Sequence, residues 1–175
     1  MKTTAEAPPS IGLAMTYLGS VAHALNKSLG LDLLVPEAAM VTCFDGNGSR
    51  FVAHRDNACV TPDDPDASSL LAEIGCINAR EVTAIIYGNA DWDESHGGAL
   101  RCHVGADDDD ESGETAAHVR DVAPRAGRLV LFKSRELLHE VLPSYGRRVA
   151  ISLWLLDGRL PLRSDSTTRV HSAVV

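Results

Sequence analysis

A short segment, Phe51-Val-Ala-His-Arg-Asp-Asn57, places a histidine and an aspartate two positions apart. If this segment is an extended strand, the side chains of His54 and Asp56 point to the same side and meet at one point. A second histidine, His139, and an arginine, Arg148, follow much later in the chain. Two histidines and one carboxylate on one face of an iron ion leave the remaining coordination positions open. The sequence therefore predicts an iron site at His54, Asp56 and His139, with Arg148 beside the same small pocket.

The composition limits the class of protein. With 175 residues, 45% of them hydrophobic, the chain is long enough for one domain with a sizeable core. The formal net charge of −8 argues against nucleic acid as the main partner. No apolar run reaches the ~18 residues of a membrane span, and residues 11–25 fit an amphipathic helix better than a signal peptide. We therefore expect a cytoplasmic or nuclear monomer that binds neither nucleic acid nor membrane.

Turn signals divide the chain into three parts. We predict a flexible tail at residues 1–9, a single domain at residues 10–158 and a loose tail at residues 159–175. The domain begins with a helix from Ser10 to about Leu29. Its apolar side chains recur every four residues and should pack on a sheet; they are Leu13, Tyr17, Val21 and Leu25. About eight short strands follow, which is typical of an antiparallel sandwich or barrel, with the double-stranded β-helix among them.

The strands and their connections can be predicted individually. Residues 82–87 and 99–104 flank a polar connection that ends in glycine, so we expect these two strands to form a hairpin. Residues 129–132 are a continuous apolar run, which indicates a buried strand. Residues 58–79 form a long excursion, with a short helix predicted at 68–74. An acidic loop is predicted at 106–116.

The last long strand indicates a binding pocket. Its pocket-side residues alternate along the chain; they are Arg148, Ala150, Ser152 and Trp154. The small side chains next to Arg148 leave room for a ligand whose carboxylate the guanidinium could hold with two hydrogen bonds. Tyr87 could supply a second contact to that carboxylate. The alternatives are a structural salt bridge for Arg148 and a locally satisfied core tyrosine for Tyr87.

Taken together, these motifs resemble those of a known family. The first is the segment from Met40 to Asn57. The second is Asn89-Ala-Asp-Trp-Asp, with Gly97-Gly-Ala-Leu-Arg101 after it, and the third runs from His139-Glu-Val-Leu-Pro-Ser-Tyr145 through Arg148 to Trp154. In this order they are similar to the prolyl 4-hydroxylases that depend on Fe(II) and 2-oxoglutarate, most of all to the hypoxia-inducible-factor prolyl hydroxylase branch. The resemblance covers roughly residues 38–158.

The resemblance implies a fold, a ligand set and an activity. The fold is mainly β, a double-stranded β-helix (jelly-roll, cupin-like) with a supporting N-terminal helix. Fe(II) is bound by His54, Asp56 and His139, and the distal carboxylate of 2-oxoglutarate by Arg148 and Tyr87. The pocket is lined by Thr83, Ile85, Leu100, Ala150, Ser152 and Trp154. Such an enzyme consumes O2, hydroxylates proline in a protein or peptide and releases succinate and CO2, with ascorbate as a candidate reductant.

Two alternatives to prolyl hydroxylation stay open at this point. The same cofactor chemistry could act on another residue or on a small molecule. A non-catalytic metal-binding module is the other alternative, because zinc also accepts histidine and aspartate.

The sequence departs from the family pattern at Phe44, where that branch usually has a tyrosine near the cosubstrate. It also has a longer connection at residues 58–79 and fewer residues before the core.

Overall fold

The computed structural model describes residues 9–58, 78–104, 118–160 and 173–174. The described elements are the helix α1 (Pro9–Leu29) and the strands β1 (Leu33–Leu34), β2 (Met40–Phe44), β3 (Ser49–His54), β4 (Arg80–Tyr87), β5 (Leu100–Val104), β6 (His118–Val122), β7 (Leu129–Lys133), β8 (Leu138–Ser144), β9 (Arg148–Asp157) and β10 (Ala173–Val174). A short 3-10 helix, Glu94–His96, lies between β4 and β5. The helix predicted at 68–74 and the acidic loop at 106–116 lie outside the described residues.

The strands form two sheets that pack on each other. The larger sheet has the order β10-β2-β9-β4-β7, with β1 also paired to β9, and the smaller has the order β3-β8-β5-β6. The pairs are antiparallel except for β10 with β2. One core cluster joins Ile85, Tyr87 and Ala150 of the larger sheet to Leu100 and Cys102 of the smaller. This is the mainly β, double-stranded β-helix fold that the sequence predicts.

Strand β9 separates two buried environments. Leu153 and Leu155 are fully buried in a second core cluster, which also contains Leu18 and Ala22 of α1. The alternate residues of β9 line a cavity between the sheets; they are Arg148, Ala150, Ser152 and Trp154. Because successive side chains of a strand point to opposite faces, one strand contributes to both the helix-covered core and the cavity. The predicted alternation of this strand is confirmed.

The helix packs through a face one residue away from the predicted one. Leu18 and Ala22 are buried, whereas Leu13 and Tyr17 are 72% and 53% exposed. Of the predicted stripe, only Leu25 packs against this core cluster. The buried stripe contains two small residues, Ala14 and Ala22, whereas the predicted stripe contains the larger Leu13 and Tyr17. Spacing alone could not distinguish two parallel stripes.

Two predictions about the strands are wrong: the hairpin of residues 82–87 with 99–104, and the buried strand at residues 129–132. Strand β10 was not predicted. Strands β4 and β5 belong to different sheets and do not form a hairpin. Among the described strands, β7 pairs only with β4, at the end of its sheet, and Leu131 is 39% exposed, so this apolar run is an edge strand there. The sequence provides no signal for β10, which lies within the predicted loose tail.

Among the described residues, no helix is both long and apolar enough to cross a membrane.

Candidate active site

The two histidines lie opposite each other on neighbouring strands. Strand β3 ends at His54, whose Cα partner on β8 is His139, and the ring centroids are 4.4 Å apart. His54 Nδ1 lies 2.9 Å from the carbonyl oxygen of Val52, and His139 Nδ1 lies 3.1 Å from that of Leu137. A carbonyl oxygen only accepts, so each Nδ1 carries the proton and each Nε2 keeps a lone pair for a metal.

Asp56 reaches the histidines from beyond the end of the strand. The sequence predicts that the strand continues through Asp56, but β3 ends at His54. The next residue, Asn57, is 3% exposed and anchors the chain there. Its N–H donates to the carbonyl of Ser134 at 3.0 Å, and its side-chain amide donates to the carbonyl of Arg80 at 2.9 Å. This anchoring, rather than strand alternation, directs Asp56 towards the histidines.

The three side chains form a compact donor set. Asp56 Oδ1 lies 3.5 Å from His54 Nε2, and Asp56 Oδ2 lies 3.8 Å from His139 Nε2. One ligand atom from each of the three residues lies within 4.8 Å of the other two. These separations are long for hydrogen bonds and are close to those of donor atoms around a single ion. Two imidazole nitrogens and one carboxylate oxygen fit Fe(II) with open positions.

Burial and hydrogen bonding set the charges in this cluster. Burial alone would raise the pKa of Asp56, but the contact with His54 and the hydrogen bond from Thr83 outweigh it and hold that pKa below its ordinary value. Burial lowers the pKa of His139, which favours the neutral imidazole. Contact with Asp56 raises the pKa of His54, so a proton and a metal would compete for that ring. The anionic carboxylate would offset part of the charge of a divalent ion.

A cavity of about 300 Å³ connects these ligands to Arg148. Seven of the predicted pocket residues line it: Thr83, Ile85, Leu100, Arg148, Ala150, Ser152 and Trp154. Tyr87 is not among the lining residues, and its ring packs 5.1 Å from the Arg148 guanidinium within the core. Arg80, which was not predicted as a pocket residue, also lines the cavity, and its guanidinium lies 3.9 Å from the centre of the Trp154 ring. No pattern in the sequence distinguishes Arg80 from a solvated arginine.

Arg148 is a buried cation at one part of this cavity. The residue is 3% exposed, and its Nε donates to the carbonyl of Gly98 at 2.8 Å. Within the described part of the chain, Arg148 forms no ion pair with a carboxylate, and burial lowers its pKa. A buried charge without a partner is costly, so the site suits an anionic ligand. The salt-bridge interpretation of Arg148 has no support among these residues.

Tyr87 and Trp154 each bury a polar atom near this anion-binding part of the site. Within the described ranges, Tyr87 Oη and Trp154 Nε1 have no hydrogen-bond partner. The Tyr87 hydroxyl nevertheless lies beside the Arg148 guanidinium, and the Trp154 indole lies beside the Asp56 carboxylate. Burial raises the pKa of Tyr87, so its hydroxyl stays neutral and can donate. Because buried polar groups nearly always have a partner, the Tyr87 hydroxyl fits a ligand oxygen held by Arg148.

Gly98 lies in close contact with Arg148. Gly98 has φ +68°, and a Cβ there would lie 2.7 Å from Ser144 Oγ and 3.0 Å from Arg148 Cδ. Glycine therefore provides both a positive φ and a close approach to the arginine. Neither composition nor periodicity identifies this role. From the sequence alone, Gly97 and Gly98 were noted only as part of the motif that resembles the family.

Comparison with known proteins agrees with this geometry. The family model for the 2OG-Fe(II) oxygenase superfamily matches residues 39–156. Human Egl nine homolog 1 is 34% identical over 151 residues, which are 85% of this chain; the chain spans 29% of the length of that relative.

Two solved structures share the fold. One is a prolyl-4-hydroxylase of Pseudomonas putida, with TM-score 0.64 and 25% identity over 90% of this chain and 70% of its own. The other is a Trichoplax adhaerens prolyl hydroxylase in complex with a peptide fragment of the hypoxia inducible factor oxygen degradation domain. It has TM-score 0.63 and 27% identity over 85% of this chain and 57% of its own. The family match spans the three donor residues and Arg148, and the chain belongs to the 2OG-Fe(II) oxygenase superfamily.

Proposed function

We propose that the chain is an Fe(II)- and 2-oxoglutarate-dependent dioxygenase that hydroxylates prolyl residues in a protein or peptide. One observation carries the proposal. A single cavity joins the donor set of His54, Asp56 and His139 to Arg148, a buried guanidinium with no carboxylate partner among the described residues. A binding module that holds only a structural metal has no use for that second, anion-binding part.

His54, Asp56 and His139 would hold the iron. When bound, iron and 2-oxoglutarate supply the oxidising chemistry: O2 is consumed, 2-oxoglutarate becomes succinate and CO2, and one oxygen atom enters a C–H bond of the substrate. The chain contributes two neutral imidazoles and one carboxylate, whose Nδ1 and Oδ2 atoms already have hydrogen-bond partners. These outer contacts orient the ligands and leave one side of the site open.

Arg148 and Tyr87 would hold the distal carboxylate of 2-oxoglutarate. The bond from Arg148 Nε to Gly98 fixes the plane of the guanidinium and leaves its terminal amines for the carboxylate. The unpartnered hydroxyl of Tyr87 would add one donor. Ile85 and Leu100, both buried, form apolar walls that keep water from this charged pair. A cavity of about 300 Å³ is at the small end of ligand pockets and suits a small dicarboxylate.

The peptide would approach from the metal side. The His54 side chain is 32% exposed, whereas Arg148 is 3% exposed, so the donor set is the accessible part of the cavity. Phe51, Arg80 and Trp154 line the cavity with it and offer an apolar and cationic surface. The Trichoplax adhaerens relative, which was solved with a peptide fragment, supports a peptide as the substrate.

Other expectations stay predictions. They are O2 as the oxidant, ascorbate as an accessory reductant, a monomeric state and a cytoplasmic or nuclear location. The division into a tail at 1–9, a domain at 10–158 and a tail at 159–175 is also untested. Oxidation of another residue or a small molecule by the same cofactors is the alternative function, and it differs only in what occupies the metal side of the cavity.

The proposal is tested by incubating the full chain with Fe(II), 2-oxoglutarate and a panel of peptides. Each proline peptide is paired with a peptide in which alanine replaces that proline. We expect a mass gain of one oxygen atom on the proline peptides, together with succinate, and neither product from Asp56→Ala. Succinate without any peptide oxidation would favour the alternative substrate. Iron binding without succinate would indicate a non-catalytic module.

A further inference from the structure

A chain of buried hydroxyls leads to the carboxylate of the donor set. Thr83 Oγ1 lies 2.6 Å from Asp56 Oδ2 and 2.8 Å from Ser134 Oγ. Thr83 is 1% exposed and Ser134 is 0% exposed. Thr83 was predicted only as part of the cavity wall, and Ser134 was not predicted as a site residue. Both residues are ordinary in a strand or turn, so no sequence pattern reveals the connection.

The direction of these hydrogen bonds follows from the chemistry of the groups. The ionised carboxylate of Asp56 only accepts, so the single hydroxyl proton of Thr83 is donated to Oδ2. Thr83 Oγ1 must then act as the acceptor in its contact with Ser134, which donates. The order is Ser134 to Thr83 to Asp56. Each donor polarises the next, and the last bond is charge-assisted.

Ser134 also ties the surrounding backbone together. Its N–H donates to the carbonyl of Glu81 on β4 at 3.0 Å, and its carbonyl accepts from the N–H of Asn57 at 3.0 Å. The residue lies directly after β7. Two backbone hydrogen bonds therefore join Ser134 to β4 and to the residue after Asp56, and its hydroxyl adds a third hydrogen bond to Thr83.

We propose that Thr83 and Ser134 are positioning residues, which restrict Asp56 to binding the metal through Oδ1 alone. This inference rests on the metal site of the proposed function and deepens it. Oδ2 accepts the hydrogen bond from Thr83 and lies 3.8 Å from His139 Nε2, whereas Oδ1 lies 3.5 Å from His54 Nε2 and accepts no hydrogen bond from a hydroxyl of the described residues. A carboxylate that bound through both oxygens would take one further coordination position, which the cosubstrate and O2 need. The hydroxyl chain keeps that position open.

The test is binding of Co(II) to the full chain without 2-oxoglutarate, measured by calorimetry and by visible absorption. Thr83→Val keeps the shape of the side chain and removes the donor, so we expect Co(II) affinity to fall about 10- to 100-fold. The absorption spectrum should also change, because Oδ2 becomes free to bind the metal. Thr83→Ser keeps a hydroxyl and should restore affinity to within about threefold of the unaltered chain.

Two further variants separate positioning from general stability. Ser134→Ala removes only the outer donor, so we expect a smaller loss of about two- to fivefold. Ser144→Ala removes a hydroxyl that is equally buried, 1% exposed, but donates to Gly146 at 2.9 Å. That control should leave Co(II) affinity unchanged. Thermal unfolding of the metal-free variants shows whether each one is folded.

The outcomes distinguish this inference from the function it rests on. If Asp56→Ala abolishes Co(II) binding but Thr83→Val binds with the affinity and spectrum of the unaltered chain, the positioning role is wrong and the metal site stands. If Thr83→Ser is folded but does not restore Co(II) affinity, the hydroxyl is not the group that positions Asp56, and the inference is also wrong. If the unaltered chain binds no Co(II), the metal site and the inference fail together.

Discussion

Arg148 and Gly98 are joined by one hydrogen bond, 2.8 Å long, from the guanidinium Nε to the glycine carbonyl. The two residues come from different sheet regions, since Gly98 precedes β5 and Arg148 begins β9. This contact fixes the orientation of a cation that is 3% exposed and has no carboxylate partner within the described residues. The position of Arg148 is therefore set before any ligand binds, and substitutions of Arg148 and of Gly98 test its role.

Replacing Arg148 with lysine should weaken 2-oxoglutarate binding. Lysine keeps the charge but loses the planar fork and the bond to Gly98. We expect a loss of about 1.5–3 kcal/mol, equivalent to roughly 10- to 100-fold in affinity, measured by calorimetry with Mn(II) in the site. Arg101→Lys is the matched control, because Arg101 also makes a bidentate contact, at 2.8 Å to Asp121, but between the exposed side chains of β5 and β6. Unchanged affinity in Arg148→Lys would contradict the assignment.

Replacing Gly98 with alanine should damage both stability and cosubstrate binding. A Cβ there would lie 2.7 Å from Ser144 Oγ and would displace Arg148. Gly127 is a matched control, since it has φ +75° but nothing within 4 Å of the position that a Cβ would take. We expect Gly127→Ala to cost about 1–2 kcal/mol from backbone strain alone, without changing 2-oxoglutarate affinity. Gly98→Ala should cost more and bind the cosubstrate more weakly. Equal effects of the two substitutions would show that only backbone strain matters.

Replacing Phe44 with tyrosine should strengthen cosubstrate binding. Phe44 is 1% exposed, and the centre of its ring lies 5.5 Å from the Arg148 guanidinium carbon. A hydroxyl on this ring would add one donor near the distal carboxylate, worth about 0.5–1.5 kcal/mol. The KM for 2-oxoglutarate should therefore fall about 2- to 10-fold. An unchanged or higher KM in a folded variant would mean that the hydroxyl does not reach the carboxylate.

The helix offers a test of the observed packing. Leu18 is fully buried against the larger sheet, whereas Leu13 is 72% exposed. Leu18→Ala should lower the free energy of unfolding by about 2–5 kcal/mol, and Leu13→Ala should change it by less than about 0.5 kcal/mol. Urea denaturation measures both. A larger effect at Leu13 would support the stripe that the sequence predicts and would contradict the packing described above.

The sequence was sufficient for those parts of the site that depend on strand alternation. Arg148, Ala150 and Ser152 share a face because side chains of a strand alternate, and that period can be counted along the chain. His54 and His139 needed the family resemblance as well, because pairing between distant strands leaves no local pattern. The structure then showed them directly opposed.

Other features could not be predicted because they depend on contacts between distant segments. Asp56 is directed by hydrogen bonds from Asn57 to Ser134 and Arg80, not by the strand. The buried face of α1 was misassigned because it carries two small alanines, Ala14 and Ala22, whereas the larger Leu13 and Tyr17 form an equally regular stripe on the exposed face. The prediction of a β4–β5 hairpin was wrong, because a connection that ends in glycine can equally cross from one sheet to the other.

The central claim is that one cavity holds a metal and the distal carboxylate of 2-oxoglutarate together. The most direct measurement is a crystal structure with Mn(II) and 2-oxoglutarate, with an anomalous map to locate the metal. The account predicts one peak about 2.0–2.2 Å from His54 Nε2, His139 Nε2 and an Asp56 oxygen, and the distal carboxylate on the Arg148 guanidinium. A peak more than about 3 Å from any of the three donors, or a carboxylate bound away from Arg148, would contradict it.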